Sequence, residues 1–130
     1  MPSLNLPTPI STAQAPAAIG PYSQGVRARN LLFISGQFPI NLQTGAFVEE
    51  GIEERAHQCL KNLKAIAKAA GTGLNNAVKV TVFLTDMEDF AKVNKVYAQY
   101  FNATLPARAA IQVAALPKNA DIEIEAIISL

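Results

Sequence analysis

Arg108 and Glu123 are the residues of this chain whose types and placement could do chemistry. Arg108 stands near the start of Leu105-Pro106-Ala107-Arg108-Ala109-Ala110-Ile111-Gln112-Val113, an otherwise apolar strand pattern. Glu123 belongs to Asp121-Ile122-Glu123-Ile124-Glu125-Ala126-Ile127-Ile128, a second strand pattern that follows Leu116-Pro117-Lys118-Asn119. Arginine offers a planar fork of N–H donors that grips a carboxylate through two parallel hydrogen bonds. A glutamate held nearby can move a proton or orient a water. Opposite charges on rigid, half-buried elements suggest a site for a small carboxylate-bearing molecule.

The elements that must position this pair can be read along the chain. Residues 1–17 read as an irregular, extended segment. Gln24–Arg29 and Leu31–Ser35 read as two strands joined tightly at Asn30, since Asn tolerates the positive φ that such turns need. Asn41-Leu42-Gln43-Thr44-Gly45 reads as another turn. From Gly51 to Ala70, Ile52, Ala56, Cys59, Leu60, Leu63, Ile66, Ala67 and Ala70 fall at helical spacing. Glu49, Glu50, Glu53 and Glu54 lie at its start and Lys61, Lys64 and Lys68 towards its end, an order that suits the helix dipole. Gly71 is a natural stop. Ala77–Leu84 reads as a strand with Val78, Val80, Val82 and Leu84 on one face. Asp86 is a plausible cap for a second helix with the stripe Phe90, Val93, Tyr97, Tyr100 and Phe101.

The resulting order is β-β-α-β-α-β-β. Two helices covering one face of a mixed sheet make an α/β (α+β) two-layer domain. The other face is expected to carry Arg108, Gln112, Glu123, Glu125, Lys79 and Thr81, with Phe83 and Ile127 among them. A small domain with one uncovered, partly apolar sheet face often closes into a homo-oligomer.

Composition narrows the function classes. At 130 residues, half hydrophobic and 16% charged, the chain reads as one domain, 1–130, with a real core. A net charge of +1 with no basic block lacks the footprint of a nucleic-acid binder. Cys59 is the one cysteine, so no internal disulfide can form. The first twenty residues have neither Lys nor Arg and no apolar run long enough to span a bilayer. A soluble cytoplasmic protein is the expectation. Gly71 and Gly73 make no phosphate loop, since no Gly-Lys-Ser/Thr follows.

Five collinear segments bear a family resemblance. They are Ala15-Pro16-Ala17-Ala18-Ile19-Gly20-Pro21-Tyr22-Ser23-Gln24-Gly25, Ser35-Gly36-Gln37-Phe38-Pro39, Val80–Asp86 with Phe90-Ala91-Lys92-Val93-Asn94, Pro106-Ala107-Arg108, and Ile122-Glu123-Ile124-Glu125-Ala126. In order and spacing they resemble the RidA (YjgF) family, the reactive enamine/imine deaminases. The resemblance implies a chorismate-mutase-like fold and a homotrimer with sites between subunits. It implies hydrolysis of 2-aminoacrylate, 2-aminocrotonate and their imine tautomers to 2-oxo acids and ammonia, with no metal or organic cofactor. The family sets these intermediates downstream of pyridoxal-phosphate enzymes such as serine/threonine dehydratase.

Carried over by position, Arg108 matches the arginine that grips the substrate carboxylate, Glu123 the residue that positions the attacking water, and Tyr22 a site tyrosine. Ser35, Gly36 and Asn94 match positions that line the cleft. The chain departs at Ala110, where many members carry cysteine; any thiol-based role there is lost, and attack by water is untouched. Positioning alone can be worth roughly 7–11 kcal/mol, enough for an imine that already hydrolyses in water.

Plainer readings stand beside these. Arg108 could be an ordinary strand residue and Tyr22 a packed turn residue after Gly-Pro. Glu125 reads as solvated-face alternation. His57 reads as solvated, Cys59 as core, and the aromatic stripe of the second helix as packing. Two other functions compete with the deaminase: a non-catalytic binder or sensor of 2-oxo acids and related carboxylates, and an endoribonuclease or translation inhibitor. One histidine and near-neutral charge argue against RNA cleavage.

Overall fold

The computed structural model describes residues 6–130. One six-stranded sheet in the order β1-β2-β3-β6-β4-β5 organises them. Its strands are β1 (Thr8–Ile10), β2 (Gly25–Ala28), β3 (Leu31–Gln37), β4 (Ala77–Leu84), β5 (Ala107–Gln112) and β6 (Ile122–Ser129). Helix α1 (Ile52–Ala69) precedes β4 and helix α2 (Phe90–Tyr100) connects β4 to β5. That crossover is why β4 and β5 alone run parallel, while all other pairs are antiparallel.

Both helices follow from the spacing of their apolar residues. Ala56, Cys59, Leu60, Leu63, Ile66 and Ala67 of α1 are fully buried, against Leu32 and Ile34 of β3 and Ile122, Ile124 and Ile128 of β6. Gly71 ends the helix at φ +83°, a conformation other residues adopt only with strain. Val93, Val96 and Tyr97 are the buried stripe of α2. Asp86 does act as a cap, but for a single 3-10 turn (Met87–Asp89) that leads into α2, its Oδ1 accepting from the Glu88 N–H at 2.9 Å.

Several expectations change. Within the segment read as extended, Thr8–Ile10 add a strand to the edge of β2; residues 1–5 of that segment lie outside the described residues. Positive φ in the β2–β3 turn falls at Arg29 (57°), not at Asn30. Val78 is 48% exposed, because a register shift between Ala77 and Lys79 turns Ala77 inward instead. His57 is half-buried rather than solvated: its Nδ1 lies 2.9 Å from the Tyr100 Oη, joining α1 to α2.

The largest correction concerns the sheet faces. Arg108 is in register with Val80, whose side chain is buried under the helices, so Arg108 points to the helix side and meets α2. Gln112 pairs with Leu84 on the same side, its Oε1 accepting from the Met87 N–H at 2.8 Å. Lys79, Thr81, Glu125 and Ile127 do line the open face as expected, in a shallow groove of ≈ 250 Å³.

Candidate functional site

Two candidate half-sites on different faces of the sheet hold Arg108 with Asn94 and Glu123 with Gly36 and Ser35, and Tyr22 joins the second only through the backbone of Ser23. The first is an arginine held by a helix. Arg108 projects from the edge strand β5 towards α2, where its Nη1 donates to the Asn94 Oδ1 at 2.7 Å. Its guanidinium carbon lies 4.7 Å from the ring centre of Tyr97 and 5.3 Å from that of Phe90. One of five N–H donors is engaged this way, and the group is exposed. An open cleft of ≈ 400 Å³ beside it is lined by Asn94, Tyr97, Phe101, Leu105, Pro106 and Arg108.

The second half-site is a carboxylate over a glycine. Glu123 alternates with the buried Ile122 and Ile124 and so projects from the open face of β6. Its carboxylate packs against the Cα of Gly36, where a Cβ would come within 2.6 Å of the Glu123 Cδ. This contact forms where β3 bulges, the register shifting between Ile34 and Gln37. Ser35 lies in the bulge and its Oγ donates to the Ser23 carbonyl at 2.6 Å. That bond ties the loop bearing Tyr22 to the bulge. Tyr22 is 46% exposed, and its Oη accepts only a long 3.4 Å bond from the Ile19 N–H. Burial, and then the nearby charge of Glu125, push the Glu123 carboxyl above its usual pKa.

The loop itself is fastened by Gln24, a buried residue that sequence reasoning passed over. Its Oε1 accepts from Thr12 N–H at 2.7 Å, and its Nε2 donates to the carbonyls of Thr12, Ala15 and Pro16 at 3.1, 3.3 and 2.7 Å. Arg55 was passed over too. It binds the Val48 carbonyl at 2.9 Å and Asp121 at 3.1 Å, fixing the residue two before Glu123 to α1. Phe90 and Tyr97 were read as packing only; their spacing with Asn94 at i, i+4 and i+7 was the signal that one helix face holds Arg108.

The half-sites are not brought together within one chain. Arg108 pairs with Val80 and Glu123 with Phe83, three residues further along β4, on strands that flank β4 on opposite sides. Two strand spacings of about 4.8 Å and three residues of about 3.3 Å separate the backbones, and the side chains leave opposite faces. No two- to four-carbon acid can touch both. Ala110 lies on the helix side, two residues beyond Arg108, half-buried against the core. Among the described residues, no cluster of His, Cys, Asp and Glu could hold a metal ion, and no helix is long and apolar enough to cross a membrane.

The fold is that of a small mixed α+β protein with an exposed arginine held against its second helix. A family model described as Endoribonuclease L-PSP matches residues 12–130, and the chain belongs to that family, the RidA/YjgF family. A Mus musculus protein named 2-iminobutanoate/2-iminopropanoate deaminase is 56% identical over 118 residues, 91% of this chain and 87% of its own. The crystal structure of E. coli TdcF with bound serine is 46% identical, with a TM-score of 0.91 over 95% of this chain and 98% of that one. The crystal structure of the E. coli YjgF gene product is 49% identical, with a TM-score of 0.90 over 94% and 98% of the two chains.

Proposed function

We propose that this chain is a cytoplasmic, single-domain, homotrimeric deaminase that hydrolyses 2-aminoacrylate and 2-aminocrotonate, through their imine tautomers, to 2-oxo acids and ammonia. The observation that carries the reading is Arg108, held from behind by Asn94 with its outer donors open. The name of the mouse relative points to the same substrates. The serine bound in the E. coli TdcF structure is, likewise, a small molecule with a carboxylate.

The chemistry follows from the two half-sites meeting across a subunit interface. Arg108 of one copy binds both carboxylate oxygens and so fixes the adjacent C=N carbon. Glu123 of another copy holds a water against that carbon and accepts its proton as the C–O bond forms. Glu123 passes that proton to the nitrogen; it then takes the proton of the new hydroxyl and delivers it to the nitrogen as the C–N bond breaks, so the tetrahedral intermediate collapses to the C=O and ammonia leaves. Gly36 lets Glu123 lie close to the backbone, while Ser35 and Tyr22 supply further hydrogen bonds. A raised pKa suits Glu123 to the return of the proton. The opposite facing of Arg108 and Glu123 supports a shared site, since one chain alone offers only half of it.

Two other readings have less support. A binder of 2-oxo acids would need Arg108 but gives no role to Glu123. The family description names an endoribonuclease, but His57, the histidine such chemistry could draw on, is engaged with Tyr100 between the helices.

Coupling the purified protein to a threonine dehydratase and following 2-oxobutyrate tests the reading. The wild type is expected to speed its release and Arg108→Ala to lose that effect. No acceleration by the wild type overturns the deaminase, and 2-oxobutyrate binding in that case would leave the binder.

A further inference from the structure

We propose that Tyr97, backed by Phe90, is the positioning residue that sets the plane of the Arg108 guanidinium. The inference rests on the deaminase reading for its effect on turnover, but not for its effect on Arg108 itself. An arginine on an edge strand has a long stem with much rotamer freedom to lose. Its bond to Asn94 fixes one nitrogen and still permits the fork to swing about that point. Two aromatic rings, 4.7 and 5.3 Å from the guanidinium carbon, remove the swing. A cation–π contact of this kind is attractive as well as restrictive, because the ring face is electron-rich. The three residues come from one face of α2, so the helix delivers the clamp as a unit.

The ring and the hydroxyl of Tyr97 can be separated. Tyr97 is 7% exposed and its Oη is buried with no hydrogen-bond partner among the described residues. The residue therefore holds Arg108 through its face and not through a hydrogen bond. Removing the hydroxyl breaks no bond, whereas removing the ring frees the guanidinium. A bidentate grip needs the fork to be presented in one plane, so loss of the ring should weaken carboxylate capture more than the chemical step.

Tyr97→Phe, Tyr97→Leu and Phe90→Leu would be compared with wild type for KM and kcat in the coupled assay and for the order of the Arg108 Nε–H by NMR without ligand. Tyr97→Phe is expected to stay within twofold in KM. Tyr97→Leu is expected to raise KM roughly five- to tenfold with a smaller change in kcat, and to lower the order of Arg108. Phe90→Leu, at the half-exposed ring, should move both readouts the same way by less, and serves where Tyr97→Leu does not fold. Unchanged Arg108 order in a folded ring-deleted variant overturns the inference. Lowered order in a series whose wild type has no turnover overturns the deaminase and leaves the clamp standing.

Discussion

The carboxylate of Glu123 occupies the space in which any residue but glycine at position 36 would place its Cβ. A carboxylate on β6 is thus located by the absence of a side chain on β3. The contact falls where the two strands lose regular register, so the bulge and the glycine act together.

Gly36→Ala should therefore displace Glu123 or push β3 aside. A cost of about 1–3 kcal/mol in stability is expected from the overpacking. Turnover should fall at least about tenfold, chiefly in kcat, because the water and not the carboxylate grip is disturbed. Steady-state kinetics and thermal unfolding of the variant check both. Full kcat in Gly36→Ala would mean that the position of Glu123 does not matter.

The raised pKa of Glu123 has two consequences, both with a definite sign. A carboxyl that holds its proton more tightly when folded makes the folded state the more protonated one between the ordinary carboxylate value and the raised one. Stability contributed there is present at low pH and is lost as pH rises through that window. Glu123→Gln should then unfold at a higher temperature than wild type above the window and show no advantage below it. In the proposed mechanism turnover needs the ionised form for water attack, so the acid limb of kcat should lie above the ordinary carboxylate range. Glu125→Gln should move that limb down, since the neighbouring charge contributes to the shift. Thermal scans and pH–rate profiles of the three proteins measure these effects.

Opposite facing of Arg108 and Glu123 makes complementation possible. Arg108→Ala and Glu123→Gln chains should each be inactive alone. Refolded or co-expressed together, they should regain about a quarter of wild-type activity if each site takes one half from each of two neighbours at random. No recovery from mixed, correctly assembled oligomers would argue that one chain supplies both groups.

Much of the fold was legible because its signals are local. The spacing of Ile52 to Ala70 marked α1, the alternation of Ile122 to Ile128 marked β6, and Gly71 marked a stop. Strand β1 was not legible, since three residues with a proline carry no period of their own and are ordered by pairing with β2. The outward turn of Val78 was hidden for a related reason: a register shift is a property of two strands, not of one. At the site, residue types pointed to Arg108 and Glu123, but not to their faces. Arg108 sits in a short edge strand between Ala107 and Ala109-Ala110, so no alternation marked which side is inward. The register with Val80 on the neighbouring strand decides it.

The four hydrogen bonds of Gln24 close a ring of chain from Thr12 through Tyr22 to β2. A dozen residues without a ladder of their own are gathered by one amide and fastened at Ser23 by Ser35. The entropy of closing that ring is lost once, during folding, and grows only slowly with its length. Because Tyr22 rides on the ring and Ser35 fastens it to the bulge, that loss is not incurred again when a small molecule arrives.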